Sequence, residues 1–172
     1  MKLANYDPAR VTYNALVPFA VAALEQFFKQ TFTILLHYDP EAQERLAEHQ
    51  RKVEMKDVVA MSKGTQTIES IVANWYSFQS IESINAAFKE WFSLDFKNFL
   101  RKRRKIGAKI SLLHRRFDDL IQRRHGVIHR FEIDRDLTRD GIDDLLNSVI
   151  VLMDEFVRHL EKERKLKIRE LR

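Results

Sequence analysis

The chain of 172 residues contains no cysteine, only four glycines and only three prolines. Without cysteine there can be no disulfide and no thiolate metal site, and the composition fits a reducing compartment. So few glycines and prolines leave few places where the backbone turns at low cost, which favours long helices over a many-stranded β fold. Long hydrophobic runs are missing too. Met1 to Arg10 includes Asn5, Asp7 and Arg10 where a signal peptide would need an apolar core. The most apolar stretch, Ala15 to Ala23, is interrupted by Pro18 and followed by Glu25. As a run it is too short to span a bilayer. The expectation is a soluble, cytoplasmic protein with no membrane association.

Hydrophobic residues make up 45% and charged residues 32%, the balance of a globular chain rather than a disordered one. The length suits a single domain over residues 1–172, with 160–172 as a basic helical extension. Formal net charge is +5, but it is unevenly spread. Lys97 to Arg130 holds twelve Lys or Arg against two acids, Asp118 and Asp119. Such a zone concentrates polyanions; the same pattern also describes a solvated face. Within it Arg101, Lys102, Arg103, Arg104 and Lys105 are consecutive, and form a candidate track for an RNA backbone.

Asp7-Pro8 reads as a cap-plus-proline helix start. Helical spacing then runs from Val11 to Leu36, with Phe19, Leu24, Phe27, Phe28, Phe32, Leu35 and Leu36 as core anchors. Tyr38-Asp39-Pro40 repeats the signal and opens a polar helix over Glu41–Ser62, ended by Gly64. Further helices are expected over Thr65–Phe78, Ser80–Phe92, Ser93–Lys105 (ending at Gly107) and Ala108–Arg130. A turn follows over Glu132–Asp140, then a final helix from Gly141 to the C-terminus. Its stripe of Ile142, Leu145, Val149, Leu152, Phe156 and Leu160 is widened by Leu146, Ile150, Met153 and Val157. That width suggests burial against both a core and a second subunit. The fold class is all-α, a bundle of about five to six helices.

The helix over Ala108–Arg130 carries an apolar stripe, Ile110, Leu113, Phe117, Leu120, and the next position is Arg124. A guanidinium at an apolar position needs a carboxylate partner, a route to solvent or an anionic ligand. His125 and His129, four apart, stand within about 40° of each other on a helix, whereas Arg124 and His129 are about 140° apart. They converge only if Gly126 distorts the helix or a second subunit closes the site. Gly126 also permits close approach of a backbone or phosphate. Histidine with arginine suits phosphodiester cleavage. An imidazole takes the proton of a ribose 2′-hydroxyl, an imidazolium protonates the leaving 5′-oxygen, and the guanidinium offsets charge on the phosphorane. This chemistry requires no metal or cofactor.

The segment Arg124-His125-Gly126-Val127-Ile128-His129-Arg130 resembles the R-x4-6-H signature of HEPN domains, an all-helical family with many prokaryotic toxin and defence ribonucleases. Ile121 to Arg130 is similar to its RRH-x-x-VHR variant. The close resemblance covers Leu112 to Leu160; the region before Gly64 matches only as long helices, and no subfamily is assigned. The resemblance implies a homodimer whose motif helices meet across a two-fold axis, each contributing Arg124 and His129 to a shared, metal-independent RNA-cleaving cleft. It implies supporting or substrate-contact roles for His125, Arg123 and Arg130, and an antitoxin or regulatory protein as a partner. Because some members have lost activity, it also implies an alternative, a non-catalytic module that binds RNA or protein.

Other readings of these residues are weaker. His125 and His129 could ligate a metal with Glu132 or Asp136, but the H-E-x-x-H pattern is absent. His37, His49, His114 and His159 read as surface or packing histidines. Trp75, Tyr76, Trp91 and Phe92 read as core or interface aromatics, with base stacking as the alternative.

Overall fold

A computed structural model describes residues 7–106 and 109–164. The chain forms two compact units, one of residues up to Leu24 and from Lys97 onward, the other of Glu25–Phe96. Helix α1 (Pro8–Tyr38) gives its first turns to the former and its later turns to the latter. Asp7 caps it through a hydrogen bond from the Ala9 N–H, and the helix continues through Pro18. By length and composition alone α1 could cross a membrane. Val17, Ala20, Val21, Leu24, Phe28, Phe32 and Leu36 form its buried stripe. Phe19, expected in the core, is 72% exposed, because two residues on from Val17 places it on the far side of the helix.

In the 25–96 unit, α1 is followed by α2 (Pro40–Glu48), α3 (Met55–Ser62), α4 (Ile68–Ala73) and α5 (Ile81–Phe92). The core is aromatic. Phe32 contacts Tyr76, Phe78, Phe88, Trp91 and Phe92 with ring centroids 5.2–6.5 Å apart. Most are edge-to-face, as ring quadrupoles favour. The helix expected over Glu41–Ser62 is split at 49–54. His49 leaves the helix in an extended conformation and stacks on Trp91, 5.2 Å between centroids, while Arg51 lies 4.5 Å from the centroid of Trp75. Tertiary contacts to these indoles override helix propensity here. Gly64, at φ +67°, ends α3 as expected. The expected Thr65–Phe78 helix contracts to α4, closed at its start by reciprocal Thr67–Ser70 hydrogen bonds.

After α6 (Phe96–Phe99), the other unit contains β1 (Arg103–Ile106), β2 (Lys109–Leu112), α7 (Leu113–Arg130) and α8 (Arg139–Arg164). The strands pair antiparallel, Arg103 opposite Leu112 and Ile106 opposite Lys109. Both were expected as helix. The ends assigned at Gly107 and Ala108 lie outside the described residues, as does the tail beyond Arg164. Otherwise the helical expectation holds, with eight helices among the described residues. No side chain caps α7. The Leu113 and His114 N–H groups donate instead to the Lys102 and Leu100 carbonyls, each at 3.0 Å. Helix α8 packs on α7 and β1, burying Ile142, Leu145, Val149, Leu152, Phe156 and Leu160. Ile150 on the widened stripe is 62% exposed.

Because Phe32 joins so many rings, Phe32→Ala should remove about 3–5 kcal/mol of stability, read as a lowered urea midpoint. A variant within 1 kcal/mol of wild type would show that the core closes around the loss.

Candidate functional site

Helix α7 runs unbroken through Gly126, so the glycine does not distort it. Arg124 and His129 therefore point about 140° apart. Arg124 is half-buried beside the stripe of Phe117 and Leu120, whereas His125, His129 and Arg130 are exposed. The imidazoles of His125 and His129 lie 4.7 Å apart between centroids, tilted by 43°. Exposed apolar side chains flank them in sequence: Ile128 (40%), Phe131 (87%) and Ile133 (50%). One helix thus presents the histidines and the arginine in different directions.

The end of α7 has an unusual turn. Phe131 adopts the left-handed conformation, φ 53°, which costs a non-glycine residue about 1–2 kcal/mol. The Phe131 and Glu132 N–H groups both donate to the Gly126 carbonyl. This turn lays the Glu132 carboxylate over Gly126. A Cβ at 126 would stand 2.8 Å from Glu132 Oε2, and the same oxygen is 3.0 Å from Arg130 Nη2. The close approach expected at Gly126 is therefore made by a carboxylate of the chain itself.

Arg123 faces another way and is fixed. Its Nε donates to Asp119 at 3.0 Å and its Nη1 to Asp134 at 2.5 Å. Burial would raise the Asp134 pKa, but the Asp136 N–H and the Arg123 guanidinium outweigh it and hold the carboxyl below the usual aspartate range. Asn14, buried in α1, receives the Asp134 N–H at 2.9 Å and donates to the Asp134 carbonyl at 3.0 Å. These residues border a cleft of about 510 Å³, with apolar walls from Val17, Val127, Ile133 and Leu137 and with Arg130 and Glu132 among its lining. Asn14 and Asp134 carry no sequence signal for this pairing, being 120 residues apart. The Asp119–Arg123 pair was legible as an i,i+4 spacing.

The basic run is sorted by β1. Arg101, Arg103 and Lys105 are exposed, while Lys102 and Arg104 are half-buried. Arg104 Nε lies 2.6 Å from Glu155 Oε1, and that guanidinium holds the Glu155 carboxyl below the usual glutamate range. Lys102 Nζ lies 5.2 Å from the Phe99 ring centroid, and burial lowers its pKa.

The remaining histidines have structural partners. His37 pairs with Glu69 and His114 with Asp118. His49 stacks on Trp91, and His159 on Phe99. Burial, then the charge of Lys102, lowers the His159 pKa. Trp91 and Phe92 are core, while Trp75 is covered by His49 and Arg51. Among the described residues no three His, Asp or Glu side chains are grouped closely enough to hold a metal ion.

The family model described as RiboL-PSP-HEPN matches residues 3–162, spanning both units. No curated protein and no solved structure matches the chain.

Three outcomes follow from these contacts. Asn14→Ala leaves the Asp134 backbone groups short of partners and should cost about 1–3 kcal/mol in urea unfolding. Asp134→Asn should be less stable than wild type at neutral pH. A depressed native pKa supplies stability that is complete above the unfolded value and is lost as pH falls through the native one, so the difference should close below about pH 4. Arg104→Ala should lower the melting temperature, because it strands Glu155.

Proposed function

The chain belongs to the RiboL-PSP-HEPN family, and from that membership we propose that it is a metal-independent endoribonuclease that acts as a homodimer. The observation that carries this reading is the end of α7. Two exposed, adjacent imidazoles stand among apolar side chains that a lone protomer leaves in water. Covering Ile128, Phe131 and Ile133 with a second α7 removes them from solvent. It also supplies the arginine that the 140° divergence keeps from its own His129.

In the composite cleft, His129 accepts the proton of the ribose 2′-hydroxyl as the 2′-oxygen bonds to phosphorus. The phosphorus–O5′ bond breaks, and an imidazolium returns a proton to the departing 5′-oxygen. The product is a 2′,3′-cyclic phosphate and a 5′-hydroxyl. Arg124 offsets the charge gathering on the phosphorane oxygens. His125 lies beside His129 and contacts substrate, as does Arg130. Exposed Arg101, Arg103 and Lys105 draw in the RNA backbone. A toxin or defence role, with an antitoxin or regulator covering the cleft, is the biological setting this chemistry suits.

RNA cleavage should persist in EDTA and leave 2′,3′-cyclic or 3′-phosphate ends. His129→Ala and Arg124→Ala should each lower it by about 10²–10⁴-fold, with the dimer retained by light scattering. Phe131→Asp should give monomers and lose cleavage with them. An active His129→Ala protein, or a fully active monomer, would refute the composite site. RNA binding without cleavage in the wild type would leave a non-catalytic RNA-binding module as the function.

A further inference from the structure

We propose that Gly126 and Arg130 form a binding site for a non-scissile RNA phosphate, and that Glu132 occupies this site in the free protein as a competing anion. The proposal rests on the RNA reading above but concerns a different contact from the Arg124–His129 chemistry. Three observations carry it. The Glu132 carboxylate lies against the bare backbone of Gly126, where a Cβ would come within 2.8 Å of Oε2. That oxygen also lies 3.0 Å from Arg130 Nη2, a charge-assisted contact that a phosphate oxygen makes as well as a carboxylate oxygen. The place opens on the cleft whose walls include Val127 and Ile133, apolar surface suited to a ribose or base attached to the phosphate.

The two arginines that border this cleft differ in what holds them. Arg123 is shared between Asp119 and Asp134, and Asp134 is itself fixed by Asn14. Releasing it would dismantle the turn. Arg130 pairs with the Glu132 carboxylate, and both side chains of that pair are more than half exposed. Such a pair contributes little to stability and opens readily. A phosphate can therefore take the place of Glu132 without disturbing the fold, whereas it cannot take that of Asp134. Glu132 lies two residues beyond Arg130 on the left-handed turn at Phe131, so after leaving Gly126 it stays tethered nearby and competes for return. RNA has to displace it, which weakens binding by chains that offer no second contact.

The test uses the full chain and a fluorescently labelled single-stranded RNA with 2′-O-methyl groups, which cannot undergo 2′-hydroxyl attack. Binding is followed by anisotropy across a salt series. Glu132→Gln should bind about three- to tenfold tighter than wild type, with a log–log salt slope steeper by about 0.7, one added phosphate contact. Arg130→Gln should bind more weakly and, combined with Glu132→Gln, should abolish the gain. Asp143→Asn, which removes an exposed acid on α8, controls for loss of one negative charge and should give a smaller gain with no change in slope. Circular dichroism confirms that each variant is folded. Equal binding by wild type and Glu132→Gln would overturn the proposal. So would a gain that survives Arg130→Gln or is matched by Asp143→Asn. Failure of both wild type and Glu132→Gln to bind the RNA would instead overturn the RNA reading, and this site with it.

Discussion

The pairing of Asn14 with the Asp134 backbone is the contact on which the motif end of α7 depends. Residues 131–138 form no helix or strand of their own apart from a turn, so their N–H and carbonyl groups have no ladder to hold them, and the less exposed ones need partners from other elements. Asn14 supplies two, one in each direction. Asp134 then uses its carboxylate on Arg123 and on the Asp136 N–H. With Asp134 fixed in space and α7 fixed by its buried stripe, the three residues between Arg130 and Asp134 have little freedom. Phe131 takes a left-handed conformation, and Glu132 folds back over Gly126. The turn that follows the exposed histidines, with Phe131 and Ile133 on it, is thus held by the buried Asn14 amide on α1.

Much of this was legible in the sequence, and what was not has identifiable causes. Proline and aspartate pairs located the starts of α1 and α2, because a missing N–H and a short carboxylate act locally. The buried face of α8 is legible in its apolar stripe, because helical periodicity is also set locally. The β1–β2 pair stands where helix is expected. Lys105-Ile106 and Lys109-Ile110 alternate as strands do, but Ile110 also stands three before Leu113, in phase with the helix that follows. Over four residues the two periods cannot be told apart. The break between α2 and α3 is a different case. It depends on the indoles of Trp75 and Trp91, more than twenty residues away, and no local pattern could report it.

The candidate site divides along the same line. Arg124, His125 and His129 are candidates from spacing and from a resemblance, and the family that the resemblance names is supported by a match over residues 3–162. Their mutual arrangement was partly predictable, since an α-helix fixes angles from residue numbers alone. At Gly126 the expected approach is that of a backbone or a phosphate, and the group that lies there is a side-chain carboxylate. The approaching group, Glu132, could not be named, because its position depends on Phe131 adopting a conformation that sequence gives no reason to assign to phenylalanine.

Basic residues are where sequence and structure differ most in information. Twelve lysines and arginines between Lys97 and Arg130 look alike as charges. Their partners separate them. Arg104 is tied to the largely buried Glu155, and Arg123 to two carboxylates, so each is committed to the fold. Desolvating either arginine's partner without its guanidinium would cost far more than an RNA contact returns. Arg130 pairs with a carboxylate whose side chain is more than half exposed, so exchanging that carboxylate for a phosphate loses little. The net charge of a surface therefore overstates what it offers to RNA. The usable part is the set of cations whose partners are absent or readily displaced. On α7 that criterion favours Arg130 over Arg123, although both stand beside the motif.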